Sequence, residues 1–195
     1  MEFQNKTKIK IALMSPLFLL HYLLFSISRQ KNLIISDIKA WGKYRDYVDT
    51  ERIVKSLFLL LIFQNEFRTQ FTLRLGTIGN ILFFLNGLGG GNVDLAKCKN
   101  IGEGFVLMHG IGTVFNAASV IGKNCTVLHN VTIGAGHGGA PTLGDNVYVG
   151  AGALIIGGIK IGDNVKIGAG ANVVEDVPSK STVVCEKARI IRREV

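Results

Sequence analysis

The stretch Leu143–Val177 reads LGDNVYVGAGALIIGGIKIGDNVKIGAGANVVEDV. Leu143, Val149, Ile155, Ile161, Ile167 and Val173 fall six residues apart, and glycine follows four of them directly, at Gly144, Gly150, Gly162 and Gly168. Four positions after each comes another small or branched apolar residue: Val147, Ala153, Ile159, Val165, Ala171 and Val177. A strand repeats every two residues and a helix every 3.6, so a period of six fits neither alone. It predicts a mainly β fold, a parallel β-helix of short strands whose backbone turns at each corner.

The same frame extends towards the N-terminus. Hexads start at Leu95, Ile101 and Leu107, then at Phe115, Ile121, Val127 and Ile133. Two steps are irregular. Leu107 to Phe115 is eight residues, which places two extra residues around His109-Gly110-Ile111-Gly112. Ile133 to Leu143 is ten, which makes Gly134 to Thr142 an outward loop with His137 at its tip. Insertions in a repeat array tend to fall on its functional face.

If three hexads make one coil, His109 and His129 stack at one corner, each two residues past an inward aliphatic residue. Ala151 and Ala169 continue that line, and Asp94 falls one coil below it. Large polar residues followed by alanines describe a reactive end and a narrow channel. A neutral histidine can take a proton from a hydroxyl, and a carboxylate behind it fixes its orientation. Glycine N–H groups of the loop would stabilise a developing oxyanion. The pattern suits direct acyl transfer from a thioester to a hydroxyl. On the bare sequence, His137 is equally a solvent-exposed loop residue, and Lys160 and Lys166 are either solvated or near cofactor phosphates. A metal site needs converging ligands; His109 and His129 lack a third, so no metal is expected.

Composition bounds the rest. The 195 residues suit one domain, or one plus a small appendage, and 48% hydrophobic residues can fill a core. The net charge of +8 includes Lys6, Lys8, Lys10, Arg29 and Lys31 near the start and Lys187, Arg189, Arg192 and Arg193 near the end. It suits phosphorylated ligands or anionic membrane; nucleic acid is not expected, since no recognition motif accompanies it. Cys98, Cys125 and Cys185 form neither a disulfide set nor a zinc signature, so a reduced, cytoplasmic protein is expected, with Cys125 plain core. Residues 1–90 read as an apolar helical region, with Ser36-Asp37 capping a helix through Ile38, Trp41 and Tyr44. The run Ile11–Ser28 is slightly short of a membrane span. It reads as a helix at a subunit contact, or as peripheral inner-membrane contact through residues 6–31. Gly87–Gly91 marks the boundary, residues 91–186 the β-helix, and residues 187–195 a basic tail.

These residues resemble the bacterial hexapeptide-repeat acetyltransferases of the serine acetyltransferase-related group. The resemblance runs over about residues 92–190. It is carried by His109–Gly112, Val131–Gly134, Gly139–Asn146 and Ile167–Ala171. It implies a left-handed coil (against the usual crossover hand), a homotrimer, and acetyl-CoA as co-substrate in a groove between subunits. His109 would be the general base, Asp94 its orienting partner, and His129 an assisting group. Ala151, Gly152, Ala169, Gly170 and Lys166 would line the cofactor channel, and Gly134, Gly138 and His137 the substrate mouth. Asp94 and His109 match the spacing of serine acetyltransferases, but Met108 stands where those enzymes carry Asp, and Gly139-Ala140 where they carry Arg-His. His129–Gly134, Glu186–Arg189 and Asn65–Arg68 look like the surface-polysaccharide branch, including the colanic acid type. The expectation is therefore O-acetylation of a sugar hydroxyl on a glycan precursor. Serine O-acetylation is the alternative, and a non-catalytic trimeric scaffold a third reading.

Overall fold

The computed structural model describes residues 16, 18–76, 78–79, 98, 100–186 and 191. Asp94, Leu95, the Gly87–Gly91 boundary, Lys6 to Lys10 and most of the basic tail lie outside them, as do residues 6–15 of the expected membrane contact.

Among the described residues, thirteen short strands, β1 (Asn100–Ile101) to β13 (Thr182–Val183), form the left-handed parallel β-helix. They stack in three sheets: sheet I is β1-β4-β7-β10, sheet II is β2-β5-β8-β11-β13, and sheet III is β3-β6-β9-β12. Each coil runs from sheet I to II to III. In most strands the first residue faces out and the second is buried. Leu107 pairs with Val127, Val127 with Val149, Val149 with Ile167 and Ile167 with Val183, so like stacks on like. The residues four places on, Val147, Ala153, Ile159, Val165, Ala171 and Val177, are buried too. Thus the period-six pattern describes two inward positions per side of a triangle.

The corners between sheets I and II need a left-handed residue each, filled by Gly104, Asn124, Asn146, Asn164 and Lys180. Asparagine tolerates that conformation better than other residues with a side chain. Asp145 Oδ1 accepts from Lys123 N at 2.7 Å and Asp163 Oδ1 from Asp145 N at 2.8 Å, tying successive corners together.

The helical region comprises helical residues 18–27 and three helices: α1 (Lys31–Trp41), α2 (Ile53–Phe63) and α3 (Asn65–Arg74). Ser36-Asp37 does not open a helix, because α1 begins five residues earlier and ends at Gly42, before Tyr44. Asp37 is instead buried at 1% exposure and meets Arg74 Nε at 2.9 Å. Arg68 donates to Leu61 O at 2.7 Å and to Asn65 Oδ1, capping the end of α2, which gives Asn65–Arg68 a role in the helix turn. The helices lie on the outer side of sheet II. Val106 of β2 joins their core, and Tyr44 Oη is 3.1 Å from Thr126 Oγ1 of β5. Among the described residues no helix is long and apolar enough to cross a membrane.

Candidate active site

β2 and β5 pair in register and deliver His109 and His129 to the corner between sheets II and III, on adjacent coils. Neighbouring strands are about 4.8 Å apart. The two-residue insertion falls where the spacing places it. Asn130 N donates to Ile111 O at 2.9 Å, whereas one coil up Gly152 N donates to His129 O and above that Gly170 N donates to Ala151 O, both at 2.9 Å. Measured from β3, then, Ile111 holds the place that His129 holds on its coil, and His109 stands on the extra turn. That turn is tight: Ile111 N donates to His109 O at 2.7 Å, and His109 itself has φ 52°. Its side chain is exposed, while His129 is half-buried.

Above the histidines the corner is bare. A Cβ on Gly152 would meet nothing nearer than Gly170 N at 4.0 Å, and both glycines hold positive φ, 70° and 68°. At the corners between sheets I and II, by contrast, a Cβ on Gly122 or Gly144 would strike the next coil at 2.3 Å. Ala151 and Ala169 complete the strip, and their N–H groups find no backbone acceptor among the described residues. A strip with no large side chain, and with two backbone donors not spent within the coil, fits a slender chain bearing amide carbonyls. Tyr148 and Lys166 pair on the adjacent outer face of sheet II, so Lys166 flanks the strip; Lys160 lies on sheet I, away from it. Sequence reasoning passed over Tyr148, although its outward position follows from the same frame. The strip's fifth position is Cys185, also two residues past an inward side chain.

The structure does not bring every expected site residue together. Gly134–Thr142 leaves from the corner between sheets III and I, so within one chain His137 and Gly138 are a sheet away from His109. The loop is folded onto the coil above: Gly136 and Gly139 bond each other at 2.9 and 3.2 Å, and Gly158 N donates to His137 O at 3.0 Å. Asp94 lies outside the described residues. No group of three His, Cys, Asp or Glu among the described residues is placed to hold a metal.

Cys98 and Cys125 are buried and Cys185 is exposed, all three free. Burial pushes the Cys125 thiol up to about 11 and raises Cys98 as well. A water-soluble maleimide is therefore expected to consume one thiol rapidly in the folded protein, Cys185, and all three in denaturant. Rapid loss of two thiols under native conditions, read by mass spectrometry, would contradict the packing around Cys98 and Cys125.

Residues 140–174 match the family described as bacterial transferase hexapeptide (six repeats). A probable serine acetyltransferase 5 of Oryza sativa subsp. japonica is 48% identical over 107 residues, which is 52% of this chain and 31% of that protein. The crystal structure of Neisseria gonorrhoeae serine acetyltransferase in complex with serine superposes with a TM-score of 0.66 at 31% identity. That alignment covers 87% of this chain and 72% of the other. A serine acetyltransferase in complex with CoA gives 0.63 at 27% identity, over 82% and 68%. The chain spans about a third of the length of the plant relatives that it matches. These names overturn the expected sugar acceptor. The residues that suggested it have architectural duties: His129–Gly134 forms a corner and β6, and Asn65–Arg68 a helix turn. They therefore report the coil and its helices, not the acceptor. The period of six, the three stacked sheets and the match to a relative of which the chain spans 72% together place this chain in the hexapeptide-repeat acetyltransferase family.

Proposed function

We propose that the protein is an acetyl-CoA-dependent serine O-acetyltransferase. The observation that carries this reading is the histidine pair at the head of a strip that holds only small residues and has backbone N–H groups not spent within the coil. Acetyl-CoA lies along that strip. The amides of its pantetheine arm meet the N–H groups of Ala151 and Ala169, Gly152 and Gly170 leave the backbone open, and Lys166 stands near phosphate. The thioester then sits beside the histidines.

His109 takes the hydroxyl proton of serine as the serine oxygen bonds to the thioester carbon. The C–S bond breaks, and the imidazolium returns the proton to the departing CoA sulfur. The products are O-acetylserine and CoA. Asp94, fifteen residues before His109, is assigned as the orienting carboxylate, by the resemblance alone. The protein works as a homotrimer, which brings the His137 loop of one copy to the histidine corner of the next. It acts in the cytoplasm, where free thiols persist.

Purified protein incubated with acetyl-CoA and free serine is expected to release CoA thiol in a serine-dependent manner. Binding of acetyl-CoA with no response to serine would overturn the acceptor assignment; failure to bind acetyl-CoA at all would overturn the whole reading.

A further inference from the structure

One nitrogen of the histidine pair has no role in the step above. Nδ1 of His129 is sealed from solvent and finds no hydrogen-bond partner among the described residues, although the residue as a whole is half-exposed. Bulk solvent does not reach that atom, so what the coil around it offers bears on which form of the ring is held.

Three forms of the ring compete. The imidazolium would bury a charged N–H with no acceptor, the most costly arrangement. The neutral Nδ1–H form would strand a donor. The neutral Nε2–H form strands only a lone pair, and buried acceptors go unpaired more readily than buried N–H donors. In that form the proton is on Nε2, the other ring nitrogen.

We infer that His129 is a fixed hydrogen-bond donor, a neutral imidazole offering Nε2–H to the oxygen of the reacting thioester, and not a second base. This rests on the acetyl-transfer reading and adds a division of labour to it. The exposed His109 can turn into an imidazolium in contact with water. His129 cannot do so without burying an unpaired charged N–H. It sits one coil further along, between the coil of His109 and the Ala151–Ala169 strip proposed to hold the cofactor. As the thioester carbon becomes tetrahedral, charge gathers on its oxygen, and a donor already oriented by the coil need not reorganise to meet it. No proton moves through His129 in the step.

Two measurements test this. In full-length protein with ¹⁵N-labelled histidine and no substrate, two-bond ¹H–¹⁵N correlation at neutral pH is expected to show the neutral Nε2–H form. The His129 signal is identified by its loss in His129→Gln. An Nδ1–H or doubly protonated ring would overturn the inference. In acetyl transfer, His129→Ala is expected to lose about 10²–10³-fold in kcat with little change in KM for acetyl-CoA. His129→Gln keeps an N–H donor and should recover at least about ten-fold of that loss. A glutamine variant no better than alanine, with both folded by circular dichroism, would sink the donor role. If wild-type protein ignores serine, the acceptor assignment fails by itself, and the ring's protonation in the free protein still decides this inference.

Discussion

His109→Ala is expected to lower the rate of acetyl transfer by about 10²–10⁴-fold, the range that general-base catalysis supplies, while acetyl-CoA still binds. The reason lies in where the side chain stands. His109 occupies the extra turn between β2 and β3, exposed and clear of the packed interior. Removing its ring takes nothing from the core, which is formed here by Leu107, Phe115 and Val127. Nor does it disturb the strip of Ala151, Gly152, Ala169 and Gly170, two and three coils along. The variant should keep the wild-type circular dichroism spectrum and thermal midpoint. Alanine at φ 52° costs about 1–2 kcal/mol in principle, but the wild-type histidine already bears the same backbone strain. Release of CoA thiol, followed with serine and acetyl-CoA at saturation, is the measurement. A variant that turns over at the wild-type rate would remove His109 from the chemistry and leave the stacked corner as architecture.

The sequence carried the coil because every inward position repeats a local rule. Leu107, Val127, Val149 and Ile167 each face in, and the next coil's register follows from burying like on like. The placing of His109 and His129 at one corner on adjacent coils came from the same count, although the insertion leaves Ile111, not His109, in the place of His129 measured from β3. The loop's position follows from it too: Gly134 ends β6 of sheet III, one sheet beyond the histidines, so His137 leaves from another corner. Other features were illegible for physical reasons. Ser36-Asp37 before an apolar run looks like a helix cap, but Asp37 is committed to an arginine 37 residues away, a pairing no local pattern announces. The acceptor is not legible because the motifs that point to a sugar are spent on corners and helix turns. A residue that shapes the coil says little about what the coil binds.

The pairing of Asp37 with Arg74 leads to the other large effect. Arg74 Nη1 donates to Ile101 O at 2.5 Å and Nη2 to Gly102 O at 2.6 Å, while Asp37 Oδ1 accepts from Phe105 N at 3.0 Å. Gln70 Nε2 adds a bond to Phe105 O at 2.8 Å, and its own Oε1 accepts from Trp41 Nε1 at 3.3 Å. The backbone groups served are those of the outermost described coil in sheets I and II. Side chains of α1 and α3 thus satisfy backbone groups of this coil. Burial pushes the Asp37 carboxyl above its ordinary value, and the hydrogen bonds and charge of Arg74 work against that shift. Each member therefore depends on the other. Asp37→Ala strands a buried guanidinium and the N–H of Phe105. Arg74→Ala strands a buried carboxylate and two carbonyls. Each is expected to cost about 3–5 kcal/mol, as breaking a buried ion pair does. The double variant should cost less than the sum, because the second removal relieves an uncompensated charge. Trp41, the single tryptophan, is fully buried within this cluster and reports its opening in urea by fluorescence. Single variants within about 1 kcal/mol of wild type, the level of an exposed pair, would mean that the helices are held to the coil by apolar packing around Val106 and Phe71 alone.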